Sequence, residues 1–161
     1  MDKKQKPVIY TVATAHLDTI WNWDFEQTVR EYIPATLDKN FRLFQKYPEY
    51  VFSFEGSYRY ELMQEYYPEK FKTLCDYIRD GRWFVTGSAF ENGDVNVPSP
   101  EALFRNILYG NHYFRDTFGK TSVDIYLPDC FGFGYALPSI IHHAGLLGFT
   151  TQKLTWSSAY G

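Results

Sequence analysis

The stretch "AHLDTIWNW" sets His16, Asp18, Trp21 and Trp23 within eight positions of one another at the end of an apolar run. Side chains two apart on an extended segment point to the same face, so the His16 imidazole and the Asp18 carboxylate can meet one cation. A divalent ion such as zinc accepts neutral imidazole nitrogen and carboxylate oxygen, and fewer than four protein ligands leave positions open for substrate oxygens. Taken alone, the two residues are better explained as a hydrogen-bonded structural pair. Trp21 and Trp23 fit either a packed core or a platform for a ligand.

Asp129 is the second feature that could do chemistry. It follows Pro128 and precedes "CFGFG", whose glycines permit close backbone approach, so the carboxylate is held where a strand gives way to a loop. A residue that merely caps the next helix is the alternative. Glu91 and Asp94 in "AFENGDVNVPSP" read either as paired acids or as a solvated turn. His142 and His143, adjacent on a helix, point ~100° apart and cannot readily share one ion, and His112 has no partner at helical spacing.

The elements that must position these groups alternate along the chain. Strands are expected in "PVIYTVAT" (running up to His16, buried), "YVFSFEG", "RWFVTGS", "SVDIYLP" and "FTTQKLTW". Between them, Ile33, Leu37, Phe41 and Phe44 share a helical face, with Pro34 marking an early turn or kink. Phe71, Leu74, Cys75 and Ile78 form a second face, entered at Pro68 and stopped by Gly81. Ser99 caps and Pro100 opens a helix through Leu103, Ile107, Phe114 and Phe118 to Gly119, and "FGFGYALPSIIHHAG" enters a short helix. Such alternation specifies an α/β fold of parallel strands with helices outside. In these folds functional groups gather at the carboxyl ends of the strands, where His16, Asp18, the 91–94 loop and Asp129 all fall.

The bulk properties narrow the classes. A length of 161 residues with 45% hydrophobic content suits one domain or part of one. Net charge is −3 and no basic run occurs, which argues against a nucleic-acid partner. No segment is apolar for a bilayer's width, and the basic start "MDKKQKPVIYTVATAHL" lacks a cleavage site, so a soluble protein without a signal peptide is expected. Cys75 and Cys130 are far apart and unpaired in spacing, which fits reduced thiols in a cytoplasm. With 14 Tyr and 14 Phe, aromatics exceed what a core this size needs, and sugar faces are one candidate for the excess.

Together, "AHLDTIW", "GRWFVTGSAFENGDVNVPSPEALFRNILYG" and "LPDCFGFGYALPSIIHHAG" resemble, in order, the H-x-D-x-x-W start, the middle block and the D-x-F-G nucleophile block of the family 38 glycoside hydrolases, the retaining alpha-mannosidases. The resemblance runs through essentially the whole chain. It implies that residues 1–161 are the amino-terminal portion of a catalytic domain, an incomplete seven-stranded β/α barrel of about five strand-helix units. By the same resemblance His16, Asp18 and Asp129 are ligands of zinc or another divalent metal, and Asp129 is also the catalytic nucleophile. Trp21 and Phe131 match positions that contact the sugar, and Lys153 stands where the family tends to carry a basic residue. The implied activity is hydrolysis of terminal alpha-linked mannose from oligosaccharides. The family's fourth ligand, a histidine, and its acid/base aspartate have no counterpart here, so the fragment alone is expected to be inactive. Its unfinished sheet suggests a homo-oligomer. A metal-dependent carbohydrate deacetylase and a non-catalytic sugar-binding domain are the competing readings.

Overall fold

The computed structural model describes residues 7–155. Five strands and six α-helices alternate along them: β1 (Ala13–Ala15), α1 (Phe25–Gln27), α2 (Ile33–Lys46), β2 (Phe52–Glu55), α3 (Ser57–Tyr66), α4 (Pro68–Arg79), β3 (Trp83–Thr86), α5 (Pro100–Phe118), β4 (Asp124–Tyr126), α6 (Leu137–His143) and β5 (Gly148–Thr150). Every strand pairing is parallel, and the ladders form in the order β1-β2-β3 and, separately, β4-β5. The expected α/β class therefore holds, with a break in the ladder between β3 and β4. Side chains bridge that break: the Ser88 hydroxyl donates to the Asp124 carbonyl at 2.7 Å, and the Gly87 N–H donates to the Asp124 carboxylate at 3.3 Å.

Two expected strands are shorter than their apolar runs. Only residues 13–15 of the first run pair with β2, and Val8, Ile9, Tyr10 and Val12 ahead of them are exposed rather than buried. The run lies on a strand with one ladder neighbour, so hydrophobicity alone does not bury it. Of the fifth run only Phe149 and Thr150 pair, in a strand that starts one residue earlier at Gly148, and the chain then turns into a 3-10 helix at Lys153–Thr155; the run's expected end, Trp156, lies outside the described residues.

The helices follow their local signals. Pro34 sits in the first turn of α2, directly after a π-helical turn at Thr28–Tyr32, where a residue without an N–H cannot continue a regular ladder. Ser99 caps α5 by accepting the Ala102 N–H, and Gly119 ends it in the left-handed region that its φ of 66° requires. No helix among the described residues is long and apolar enough to cross a membrane.

Two apolar clusters sit between helices and strands. In the first, Trp83 packs edge-on against Phe52 at 4.8 Å, and its indole N–H donates to the Tyr60 hydroxyl at 2.9 Å, which in turn donates to the Phe54 carbonyl at 2.8 Å. These contacts satisfy the polar atoms of two fully buried rings, and burial raises the Tyr60 phenol's pKa so that it remains a donor. The second cluster joins Leu103 and Ile107 of α5 to Ile125, Leu127, Leu137 and Ile140.

Helix α5 also fixes the loop that follows β3. Asn106 behaves like a backbone unit: its side chain accepts the Glu91 N–H at 2.9 Å and donates to the Glu91 carbonyl at 2.8 Å. One turn further on, a Cβ added to Gly110 would stand 2.1 Å from the Ser88 carbonyl oxygen and 2.5 Å from the Ala89 carbonyl carbon. Helix propensity favours alanine over a mid-helix glycine by about 1 kcal/mol. Gly110→Ala is nevertheless expected to destabilise the protein by ~1–3 kcal/mol, since backbone must shift to admit the methyl; a higher midpoint in urea unfolding would contradict this packing.

Candidate active site

The parallel strands bring their carboxyl ends to one edge, and the side chains singled out in the sequence meet there. His16 is the first residue beyond β1 and Asp18 lies two further on, while Asp129 stands three residues past β4. Together with Asp94 and Phe131 they line a pocket of about 200 Å³. His16, Asp18 and Asp129 each place one ligand atom so that all lie within 4.8 Å of one another.

The donor set and its spacing fit a divalent cation. His16 Nε2 is buried with no hydrogen-bond partner and lies 3.4 Å from an Asp18 carboxylate oxygen. That separation is close to the edge of a tetrahedron with zinc-ligand bonds of ~2.0–2.2 Å. The Asp18 and Asp129 side chains keep 37% and 38% of their surface, so the pocket is open on the side a substrate would enter.

The other imidazole nitrogen is occupied. His16 Nδ1 is hydrogen-bonded to the Glu55 carboxyl group, which closes β2 and has no exposed surface. The Glu55 hydrogen bond raises the His16 pKa above its ordinary value, and burial raises that of Glu55.

A second buried charge supports the loop that carries Asp18. The Arg59 guanidinium, nearly inaccessible, donates from Nε to the Leu17 carbonyl at 2.9 Å and pairs with Glu91. Glu91 also accepts the Thr19 hydroxyl at 2.6 Å, and the Thr19 carbonyl accepts the Thr28 hydroxyl at 2.7 Å. Glu91 is thereby committed to holding loops together, and Asp94 accepts the Asn96 and Val97 N–H groups at 2.6 and 2.8 Å. The turn reading fits Asp94, which binds the backbone of its own turn, whereas Glu91 is tied to the buried Arg59, which neither reading expected. The buried Cys130 thiol donates to the Gly93 carbonyl at 3.1 Å, and burial pushes its pKa up to about 11.

On the outer side, Lys153 pairs with the Asp129 carboxylate, and its ammonium lies 4.6 Å from the centre of the Phe131 ring. The turn at Lys153–Thr155, in place of a continued strand, puts this residue at the pocket. Phe131 is exposed at 75% and Trp21 at 68%, so both rings can be covered by a ligand, although Trp21 stands outside the pocket lining. Trp23 packs against the core, donates to the Thr28 hydroxyl at 2.7 Å, and meets Trp21 edge-on at 5.7 Å. His112, His142 and His143 are exposed and take no part.

Glu55 and Arg59 are the site residues that the sequence reading passed over. The available signal was an acid ending an otherwise apolar strand, followed by Gly56 at a φ of 75°. A Cβ at Gly56 would come within 2.7 Å of the Arg59 guanidinium.

Fold and site together define an α/β protein whose parallel strands end in an acidic, cation-compatible pocket. Residues 6–160 match the glycosyl hydrolases family 38 N-terminal domain, and the chain belongs to that family. It is 33% identical over 150 residues to alpha-mannosidase G of Dictyostelium discoideum and 32% identical over 149 residues to alpha-mannosidase 2C1 of Homo sapiens. These matches cover 93% and 92% of this chain but 14% of either relative's length. The fold resembles the crystal structure of an alpha-mannosidase from Enterococcus faecalis V583, with a TM-score of 0.78 at 22% identity over 87% of this chain and 16% of that one.

Arg59→Met keeps much of the side chain's bulk but leaves Glu91 and the Leu17 carbonyl without their buried cation. It is expected to cost ~3–5 kcal/mol, whereas the exposed Arg79→Met should stay within about 0.5 kcal/mol. Urea unfolding of the two variants side by side checks the difference.

Proposed function

We propose that this chain is the amino-terminal part of the catalytic barrel of an alpha-mannosidase, and that the whole protein removes terminal alpha-linked mannose from oligosaccharides with retention of configuration. The observation that carries this reading is the meeting of Asp129 with His16 and Asp18 in one pocket, from positions more than a hundred residues apart. A structural pair at His16 and Asp18 has no need of a third carboxylate from another strand. Family membership supports the glycosidase class, and the names of the relatives support mannose as the sugar.

In this reading Asp129 acts as the nucleophile. One carboxylate oxygen attacks the anomeric carbon as the bond to the leaving oxygen breaks, and water then hydrolyses the glycosyl ester with the first configuration restored. Lys153 holds the Asp129 oxygen it contacts and so fixes the direction of attack. Phe131 and Trp21 offer apolar faces against which a sugar ring can pack and shed water. His16, Asp18 and Asp129 would hold a divalent ion, zinc being the expected one, whose charge when bound helps to bind and distort the sugar. In this reading the acid/base carboxyl and a further histidine ligand come from other parts of the protein, and the 161-residue chain alone is inactive, since general acid catalysis is worth typically ~10²–10⁴ in rate.

In the whole protein, Asp129→Asn is expected to lower kcat on an aryl alpha-mannoside by at least ~10³-fold. Proton NMR of the wild-type reaction should show alpha-mannose as the first anomer released. Retained turnover in the variant, or beta-mannose first, refutes the nucleophile assignment. Chelation should abolish turnover and added zinc restore it; activity indifferent to both would remove the ion from the proposal.

A further inference from the structure

The Glu55 carboxylate is a costly group to bury where it stands. It is fully buried, one of its oxygens has no hydrogen-bond partner, and the other is taken by the His16 ring. Removing a carboxylate from water costs several kcal/mol, and an apolar residue of similar size usually serves stability as well or better. Serving a neighbour is the remaining role for such a group, and the strand register says which neighbour. Ala15 pairs with Phe54 and Glu55 with Thr86, so the next step along β1 sets His16 beside Glu55 in the same cross-strand row. Gly87 leaves room for this arrangement, since a Cβ there would stand 3.4 Å from that of Glu55 and 3.0 Å from that of Tyr126.

Resting on the ion site of the preceding section, we propose that Glu55 is the positioning residue for His16. By accepting the Nδ1 proton it locks the ring in the tautomer whose Nε2 lone pair faces Asp18 and Asp129, and so sets the affinity of the site for its cation. The imidazole has two rotational choices and two tautomers, and only one combination presents a free Nε2 to the pocket. Nε2 is the buried nitrogen that lacks a hydrogen bond, as this arrangement requires. A carboxylate on the far nitrogen also makes the ligating nitrogen a better electron donor. Glu55 touches neither substrate nor cation and acts through the ring alone.

The test is calorimetric titration of zinc alone into the chelator-treated whole protein, with ¹⁵N NMR of the histidine rings. Glu55→Gln is expected to weaken zinc binding about 10–100-fold with an unchanged circular dichroism spectrum, and Glu55→Asp to fall between it and wild type. In the wild-type protein without metal, at a pH high enough for the ring to be neutral, His16 should carry its proton on Nδ1 and leave Nε2 bare, and Glu55→Gln should shift that tautomer balance. If Asp18→Asn and Asp129→Asn bind zinc as tightly as wild type, the ion site itself is wrong. If those two lose binding while Glu55→Gln keeps it within about twofold, the ion site stands and the role of Glu55 is refuted. A variant that does not fold leaves the wild-type spectrum to decide, because a neutral ring with its proton on Nε2 overturns the proposal without any substitution.

Discussion

The pocket depends on two opposite charges buried beneath it. Glu55 at the end of β2 and Arg59 one turn into α3 are both inaccessible to water, and each reaches across to the β1 loop: the acid to the His16 ring, the base to the Leu17 carbonyl. Between them they hold the two residues that precede Asp18. Neither charge could remain in the interior without a partner. These contacts restrict the placement of the loop, and Asp18, which it carries, follows.

Further supports tie in the other loops. Glu91, paired with Arg59, is held by both backbone groups to Asn106 of α5, which is itself drawn close by the absence of a side chain at Gly110. Cys130 bonds to Gly93, connecting the loop after β3 to the one bearing Asp129. The ladder is interrupted between β3 and β4, so these side-chain and packing contacts, with Ser88 and Asp124, carry the alignment across the gap. A site assembled from three strands is thus kept in register even where backbone pairing stops.

The division of labour among aromatic residues follows the same layout. Trp83, Phe52, Phe54 and Tyr60 fill the space between strands and helices, with their polar atoms paired internally. Trp21 and Phe131 are left outside at the strand ends. Their exposure leaves apolar surface that a ligand can cover. The aromatic excess in the composition is in this sense shared between the core and the surface at the strand ends.

Much of this was legible in the chain itself. Capping residues and prolines sit beside the helices they delimit, and Ser99, Pro100 and Gly119 bracket α5 as their local chemistry requires. The rule that functional groups collect at carboxyl ends of parallel strands placed His16, Asp18 and Asp129 on one edge before any distance was known. Those are consequences of backbone sterics and hydrogen bonding over a few residues, which sequence specifies directly. Tertiary structure alone decided the length of the first and last strands, because pairing depends on what lies alongside. It also decided the roles of Glu55, Arg59 and Gly110, whose meaning arises from contacts with segments remote in sequence. A buried charge and a missing methyl leave no periodic signature in a sequence; they become visible only when the partner that each one accommodates is in place.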